Sequence, residues 1–340
     1  MRVAIVGATG AVGQEFLRLL TERNFPSEEL RVFASKRSAG KQLSFAGKEL
    51  TVEALPESGD LAADIVFSSA GGAISKAHAW TWAAHGAVVI DNTSAWRLDP
   101  RAPLVIPEVN PEAALEHRGV IANPNCSTII ALMALAPLHR AFGLRRATVA
   151  TYQAVSGAGA AGIDELQAQT RATLAGEPLI SNTFDHPIAF NLFSHDSEVG
   201  EDGYNLEERK MLSESRKILN QPALRISATC IRVAVFRAHT EAIHAEFDVP
   251  VDESEARRVL SEAPGIRIVD DREANTFPTP LAASGRDDTL VGRIREDASN
   301  PGGIALLVSG DQIRKGAALN AVQIGEYLID KGALRSSVSS

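Results

Sequence analysis

Short apolar runs and amphipathic stretches take turns along the first 125 residues. RVAIV, residues 2–6, is a β-branched run that stops at Gly7 and predicts a strand. AVGQEFLRLLTER then places Val12, Phe16, Leu19 and Leu20 on one helical face. ELRVFAS and ADIVFSSAGG predict the next two strands, and SKAHAWTWAAHG a helix that stops at Gly86. AVVIDNTS and GVIANPN are further strands. Strand runs without polar alternation, separated by helices, predict a parallel sheet covered on both faces. After about residue 145 the pattern changes. RRATVATYQAVSG and LRISATCIRVAVF are longer and alternate, which predicts more antiparallel pairing. Helical patterns follow at 161–175 and 205–219, and a hairpin is expected around Asn300-Pro301-Gly302-Gly303. A last amphipathic helix, AALNAVQIGEYLIDKG, is long enough to return to the first domain.

The predicted fold class is α/β. A Rossmann-type parallel-sheet domain covers 1–125 and is completed by the C-terminal helix at about 316–332. An α+β domain with a mixed, largely antiparallel sheet covers 126–315, and 333–340 is expected to be a flexible tail. The chain has 340 residues, enough for two such domains. Its net charge of −8 argues against a nucleic-acid or anionic-membrane partner. Two cysteines cannot build a disulfide framework, and no C-x-x-C or H-E-x-x-H spacing calls for a metal. The longest apolar stretch, about Ile129 to Leu138, is far shorter than the roughly 20 residues of a membrane span. The N-terminus reads as strand and turn rather than signal peptide, so a cytoplasmic location is expected.

VGATGAVG puts Gly7, Gly10 and Gly13 behind the first strand and at the opening of a helix. Such a turn lets backbone approach a pyrophosphate, and the helix N-terminus offers free N–H groups. The second strand ends in ASKRSAGK, where an NAD site usually has an acidic residue for the ribose. Ser35, Lys36, Arg37 and Ser38 stand there instead and suit a 2′-phosphate, so NADP(H) is expected.

The second candidate centre is NPNCST. Pro124 cannot lie inside a regular helix, so Cys126 falls at or near the N-terminus of the helix that follows. There the helix dipole favours thiolate over thiol, as a nucleophile requires. Cys230, within ISATCIRV, is expected to be core packing. Gln153 could orient a carbonyl, and Arg232, Arg237 and His239 lie on a later stretch. Arg232 and His239 are seven residues apart, so a single regular strand would point them to opposite faces. They can share a pocket only if the strand breaks between them. His244 is expected to be an ordinary surface residue. Glu207 and Lys210 are three apart and share a helical face, and Arg97 follows a strand end.

In this order and spacing, VGATGAVG, ASKRSAGK, NPNCST, QAVSGAG, EERKM, RVAVFRAHTE, FPTP, VGRIRED and RKGAALNAVQIGEYL resemble the bacterial aspartate-semialdehyde dehydrogenases. The resemblance runs from residue 1 to about 330. It implies NADPH-dependent reduction of L-aspartyl 4-phosphate to L-aspartate 4-semialdehyde, in lysine, methionine, threonine and diaminopimelate synthesis. It implies Cys126 as nucleophile, His239 as acid/base residue and Gln153 as the residue that positions the acyl group. Arg232 and Glu207 would hold the α-carboxylate and amine, and Arg97, Asn125 and Lys210 the phosphate. Gly7, Thr9, Gly10, Ala11, Val12, Gly13, Ser35, Arg37, Ser38, Ser156, Gly157 and Asn320 would hold the cofactor. It also implies a homodimer formed through the second domain. Ala234 and Ala238 stand where many relatives have Pro and Gly.

Three other readings compete: a reductase of N-acetylglutamyl phosphate, a non-catalytic relative, and a thiol hydrolase without nicotinamide. NPNCST and RKGAALNAVQI argue against the first, and the retained Cys126, Gln153, Arg232 and His239 against the second. The glycine turn argues against the third.

Overall fold

The computed structural model describes residues 1–334; the tail expected over 333–340 lies outside the described residues from 335 onward. The chain divides into two compact units, one made of Met1–Asn125 and the chain from Ala317, the other of Cys126–Gly316.

The first unit contains β1 (Arg2–Val6), α1 (Ala11–Glu22), β2 (Glu29–Ala34), β3 (Gln42–Phe45), β4 (Lys48–Thr51), β5 (Glu53–Ala54), β6 (Ile65–Ser68), α2 (Gly72–Ala84), β7 (Val88–Asp91) and β8 (Val120–Ala122). Its six-stranded sheet runs in the order β5-β2-β1-β6-β7-β8, with every pairing parallel. β1, β6 and β7 are buried on both faces, which explains their unbroken apolar sequences. Phe16, Leu19 and Leu20 of α1 pack into one side of this core, and Trp82 of α2 into the other. The sequence pattern does not predict the β3–β4 hairpin, a separate two-stranded sheet with largely exposed residues.

The second unit contains α3 (Cys126–Phe142), β9 (Leu144–Gln153), α4 (Ala160–Ala175), β10 (Leu192–Ser194), α5 (Leu206–Ile218), β11 (Arg225–Val233), β12 (His239–Phe247), α6 (Glu253–Ser261), β13 (Ile266–Ile268), α7 (Pro280–Ala283), β14 (Thr289–Glu296) and β15 (Ile304–Gly310). The seven strands run β10-β11-β9-β12-β15-β14-β13. Only β11–β9 and β13–β14 pair in parallel, so the sheet is mixed and largely antiparallel. The chain then returns to the first unit as α8 (Leu319–Asp330), whose Leu319, Val322, Ile324 and Leu328 join the same core as α1.

Two local features depart from the expected pattern. α3 passes through Pro137 and continues to Phe142. Proline costs a hydrogen bond to the Met133 carbonyl, but the helix is buried on all sides from Ser127 to Leu138, and that packing outweighs the loss. The stretch LRISATCIRVAVF is a strand only as far as Val233. Ala238 then takes φ +74°, a left-handed backbone that disfavours any residue with a Cβ, and β12 begins at the next residue. The break that Arg232 and His239 need is therefore present and is made with alanine.

Candidate active site

In the first unit, Gly7 has φ +90°, and a Cβ there would lie 2.6 Å from the Ser69 carbonyl oxygen. A Cβ on Gly13 would collide with the backbone of Gly7 and Ala8. Gly7 is thus required by the chain that leaves β6, and Gly13 by the close passage of α1 over the end of β1. Gly10 is the N-cap of α1 and supplies no side-chain cap, and no acidic residue lies in the first turn. The helix start is free of competing anions, which fits a phosphate. At the end of β2, Ser35 caps a tight turn over Lys36–Ser38; Ser35, Lys36 and Arg37 are exposed and Ser38 is buried. These residues fit a dinucleotide carrying a 2′-phosphate. Thr9, Ala11 and Val12 lie half-buried in the same glycine turn. Asn320 is buried, donating to the Val105 carbonyl (2.9 Å) and to Asn123 Oδ1 (2.6 Å). Arg97 is also buried, and Nε and one terminal nitrogen donate to the carbonyls of Asn123 and Asn92, each at 2.9 Å. Asn125, buried as well, is the last residue of this segment.

In the second unit, strand register sets the site. Arg232 pairs with Gln153 on β9 and His239 with Gly310 on β15. Thr240 pairs with Tyr152, which brings His239 opposite Gln153. Paired residues share a face, so Arg232, Gln153 and His239 form one row across three strands. Cys230, Thr151 and Glu241 form the row behind it. Gly310 lets α3 come close: a Cβ there would sit 2.9 Å from Ile130 Cγ1. Ile130 is one helical turn after Cys126 and shares its face. The result is a Cys126 Sγ to His239 Nε2 separation of 3.4 Å, with Cys126 the first residue of α3. Gly316 completes the seat, since a Cβ there would lie 3.0 Å from Cys126 Cβ.

His239 is fully buried, and its Nδ1 accepts from the Ala154 amide at 3.0 Å. A backbone N–H can only donate, so the neutral ring carries its proton on Nε2, facing the sulfur. Burial, followed by the charge of Arg232, lowers the imidazole pKa from 6.5 to about 3. Gln153 receives Thr151 Oγ1 at 3.1 Å and donates to Glu207 Oε1 at 3.2 Å. Lys210 Nζ donates to Glu207 Oε2 at 2.8 Å. A Cβ on Gly157 would meet an Arg232 terminal nitrogen at 3.1 Å and His239 Nε2 at 3.7 Å, so this glycine keeps space open beside both. Ser156 is hydrogen-bonded by the Gln312 amide, and Gln312 Oε1 accepts from Ala238 N–H at 2.7 Å. Gln312 thus ties the strand break to the turn that follows Gln153. Arg237 turns to Asp311 (2.6 Å), and His244 pairs with Asp297 (2.7 Å) on a half-exposed side chain. Cys230 is fully buried and its thiol pKa is pushed up by burial, as suits a packing residue.

Sequence reasoning missed four groups here: Ala154 N–H, Gln312, and the pair His195 and Asp196, both on Arg232. It also missed Glu241. This carboxyl is fully buried, and neither oxygen has a hydrogen-bond partner among the described residues. Burial, and secondarily Glu207, raise its pKa well above 4.5. Above pH 4.5 the unfolded chain ionises here while the folded chain keeps the proton, so each further pH unit removes up to about 1.4 kcal/mol until the folded value is reached. Glu241→Gln is expected to raise the melting temperature at pH 8 and not at pH 4. Equal shifts at both values would show that Glu241 is ionised in the fold.

Known proteins resemble the chain along nearly all of its length. The family pattern "Semialdehyde dehydrogenase, NAD binding domain" matches residues 2–117, and "Semialdehyde dehydrogenase, dimerisation domain" matches 135–315. The aspartate-semialdehyde dehydrogenase of Synechocystis is 51% identical over 334 residues, covering 98% of this chain and 99% of its own. That of Aquifex aeolicus is 50% identical, with 98% and 99% covered. The crystal structure of aspartate semialdehyde dehydrogenase II from Vibrio cholerae, complexed with ASA, superposes with a TM-score of 0.93 at 47% identity, covering 97% and 98%. The Candida albicans enzyme with NADP gives 0.76 at 25% identity, covering 98% and 99%.

Proposed function

We propose a residue-level reaction from a settled premise: this chain belongs to the aspartate-semialdehyde dehydrogenase family. It is an NADP-dependent phosphorylating aldehyde dehydrogenase that reduces L-aspartyl 4-phosphate to L-aspartate 4-semialdehyde, serving lysine, methionine, threonine and diaminopimelate biosynthesis. The observation that carries the residue assignment is the sulfur of Cys126 at a helix start, 3.4 Å from the His239 nitrogen that bears the proton.

Cys126 attacks the acyl carbon as its thiolate. The new C–S bond forms as the carbon–oxygen bond to phosphate breaks, and phosphate leaves with that oxygen and takes up a proton. Arg97, Asn125 and Lys210 hold the phosphate. Arg232 and Glu207 face the amino-acid end of the substrate, and Gln153 holds the acyl group. NADPH, when bound, would supply the hydride that reduces the thioester. His239 Nε2–H donates first to the sulfur and then to the oxyanion of the Cys126-bound thiohemiacetal. When the C–S bond breaks, the aldehyde leaves and Cys126 is again a thiolate.

The glycine turn from Gly7 to Gly13 holds the pyrophosphate, and Ser35, Arg37 and Ser38 the 2′-phosphate. Ser156, Gly157 and Asn320 complete the cofactor contacts. The first unit is the NADP-binding domain, and the second is the catalytic and dimerisation domain. A homodimer is supported by the second sheet's outer face, where Ala150, Tyr152, Ile231, Ala242 and Leu307 are only partly covered. A cytoplasmic site of action is supported by Cys126 and Cys230 standing as thiols rather than as disulfide sulfurs. Among the described residues no helix is long and apolar enough to cross a membrane.

The test follows absorbance at the nicotinamide band in the phosphate-dependent direction, with each coenzyme in turn. Aspartate semialdehyde with NADP should turn over fastest. Preference for N-acetylglutamate semialdehyde would overturn the substrate assignment.

A further inference from the structure

The peptide group just before His239 is held from outside its own strand. β11 ends at Val233 and β12 begins at His239. Early in the connection, the carbonyls of Val235 and Phe236 accept the amides of Val155 (2.9 Å) and Ser156 (3.3 Å). The Arg237–Ala238 peptide has side-chain partners instead. Its N–H donates to Gln312 Oε1 at 2.7 Å. Its carbonyl accepts from Ser284 Oγ at 3.2 Å, a hydroxyl shared with the Pro280 carbonyl. Ala238 is fully buried, so losing Gln312 would leave that N–H without a partner. The same residue has φ +74°, which its Cβ disfavours. A strained turn of this kind persists only where its surroundings fix it. The next residue carries the imidazole that meets Cys126 Sγ at 3.4 Å, so any slack at Ala238 passes directly to His239.

Asp311 joins these supports. It follows Gly310, the β15 partner of His239, and precedes Gln312. Its Oδ2 accepts from Arg237 Nε and from the amide of Gly285, the neighbour of Ser284, both at 2.6 Å. Its Oδ1 accepts from the amides of Ile313 and Arg314 at 3.0 and 3.1 Å. One fully buried carboxylate thus fixes the Arg237 side chain, the loop that gives Ser284 and the turn that gives Gln312. A buried ion pair adds little net stability, because desolvation offsets the attraction. What four donors on one carboxylate supply is geometry.

We propose that Asp311 is a positioning residue for the reduction: through Arg237, Ser284 and Gln312 it holds the left-handed turn at Ala238 and so aims His239 Nε2–H at the sulfur. The assignment rests on the reading of Cys126 and His239 given above. The hold is needed because residue 238 carries a Cβ. A glycine there takes the same φ without strain.

The experiment measures kcat, KM for NADP and the rate constant of inactivation by iodoacetamide. The variants are Asp311→Asn and Arg237→Met, each alone and combined with Ala238→Gly. Arg237 has a side chain that is 25% exposed, so Arg237→Met keeps the test alive if Asp311→Asn does not fold. Each single variant is expected to lower kcat at least about tenfold, with KM for NADP within about threefold. Inactivation should slow with it, because the sulfur loses the donor that stabilises its anion. Only active enzyme contributes to that rate constant, so partial unfolding leaves it unchanged. Adding Ala238→Gly should bring kcat and inactivation back to within about threefold of wild type. A merely structural ion pair would lower the melting temperature and leave the inactivation rate constant as it was. That result, or a loss of both rates that Ala238→Gly does not restore, would overturn the assignment. His239→Gln enzyme with wild-type kcat would overturn the parent reading instead, and this assignment with it.

Discussion

Cys126→Ala is expected to lower turnover by roughly 10⁴-fold or more while leaving NADPH affinity within about twofold. The size follows from the chemistry. Without sulfur, no group in the site can accept the acyl carbon, and hydride would have to reach an acyl phosphate directly. The helix position makes the anion available, since Cys126 is the first residue of α3 and lies at the positive end of its dipole. Cys126→Ser tests the same point more sharply. It keeps size and hydrogen bonding but replaces a thiol with an alcohol, a far weaker acid and a poorer nucleophile. Turnover is read from nicotinamide absorbance and binding from nicotinamide fluorescence. The two cysteines differ enough to be separated chemically: Cys126 is half-buried and Cys230 fully buried. Iodoacetamide should therefore modify Cys126 first, in step with lost activity. Full turnover by enzyme alkylated at Cys126 would remove the covalent step.

What could be read from the sequence was whatever depends on local periodicity. The strand at 2–6, the glycine turn and the helix after it are specified by neighbours within a few residues, and so is a helix opening at Cys126. Parity on a strand went one step further. It stated that Arg232 and His239 meet only across a break, and the chain breaks at Val233 and turns at Ala238. Contacts made by backbone groups or from distant short elements were not readable. Ala154 acts on His239 through its amide, which every residue but proline carries. Asp196 reaches Arg232 from 36 positions away, next to a three-residue strand with no periodicity of its own. Glu241 sits where alternation calls for a buried residue, and its polarity gave no hint that the fold would enclose it without a partner. Burial on every side likewise carries α3 through Pro137, against the local rule.

His239→Ala is expected to lower kcat by about 10²- to 10⁴-fold, and His239→Gln by at least about tenfold less. The difference follows from which nitrogen carries the proton. With Nδ1 fixed as acceptor of the Ala154 amide, the ring faces the sulfur with Nε2–H and offers a donor, not a base. Protonating Nδ1 would set two donors against each other, and burial and Arg232 already hold the imidazole at about 3. The ring therefore stays neutral throughout the working range. The acid/base role that the sequence implies narrows to hydrogen-bond donation, which a glutamine amide can partly supply and alanine cannot. The pH profile separates the two roles. If the imidazole were the base, the acid limb of kcat/KM would titrate near its ordinary 6.5 and vanish in His239→Gln. If it is a donor, no imidazole limb is present, and His239→Gln lowers the height of the profile without changing its shape. The same depressed pKa sets a stability dependence of opposite sign to that of Glu241. Below pH 6.5 the unfolded histidine takes up a proton that the folded one refuses, so the fold loses up to about 1.4 kcal/mol per pH unit down to about 3. His239→Gln removes that slope. Glu241 acts alike on both proteins between pH 6.5 and 4.5, so as pH falls the urea midpoint of the variant should drop less, or rise more, than that of the wild type; parallel slopes would place the proton on the folded imidazole after all.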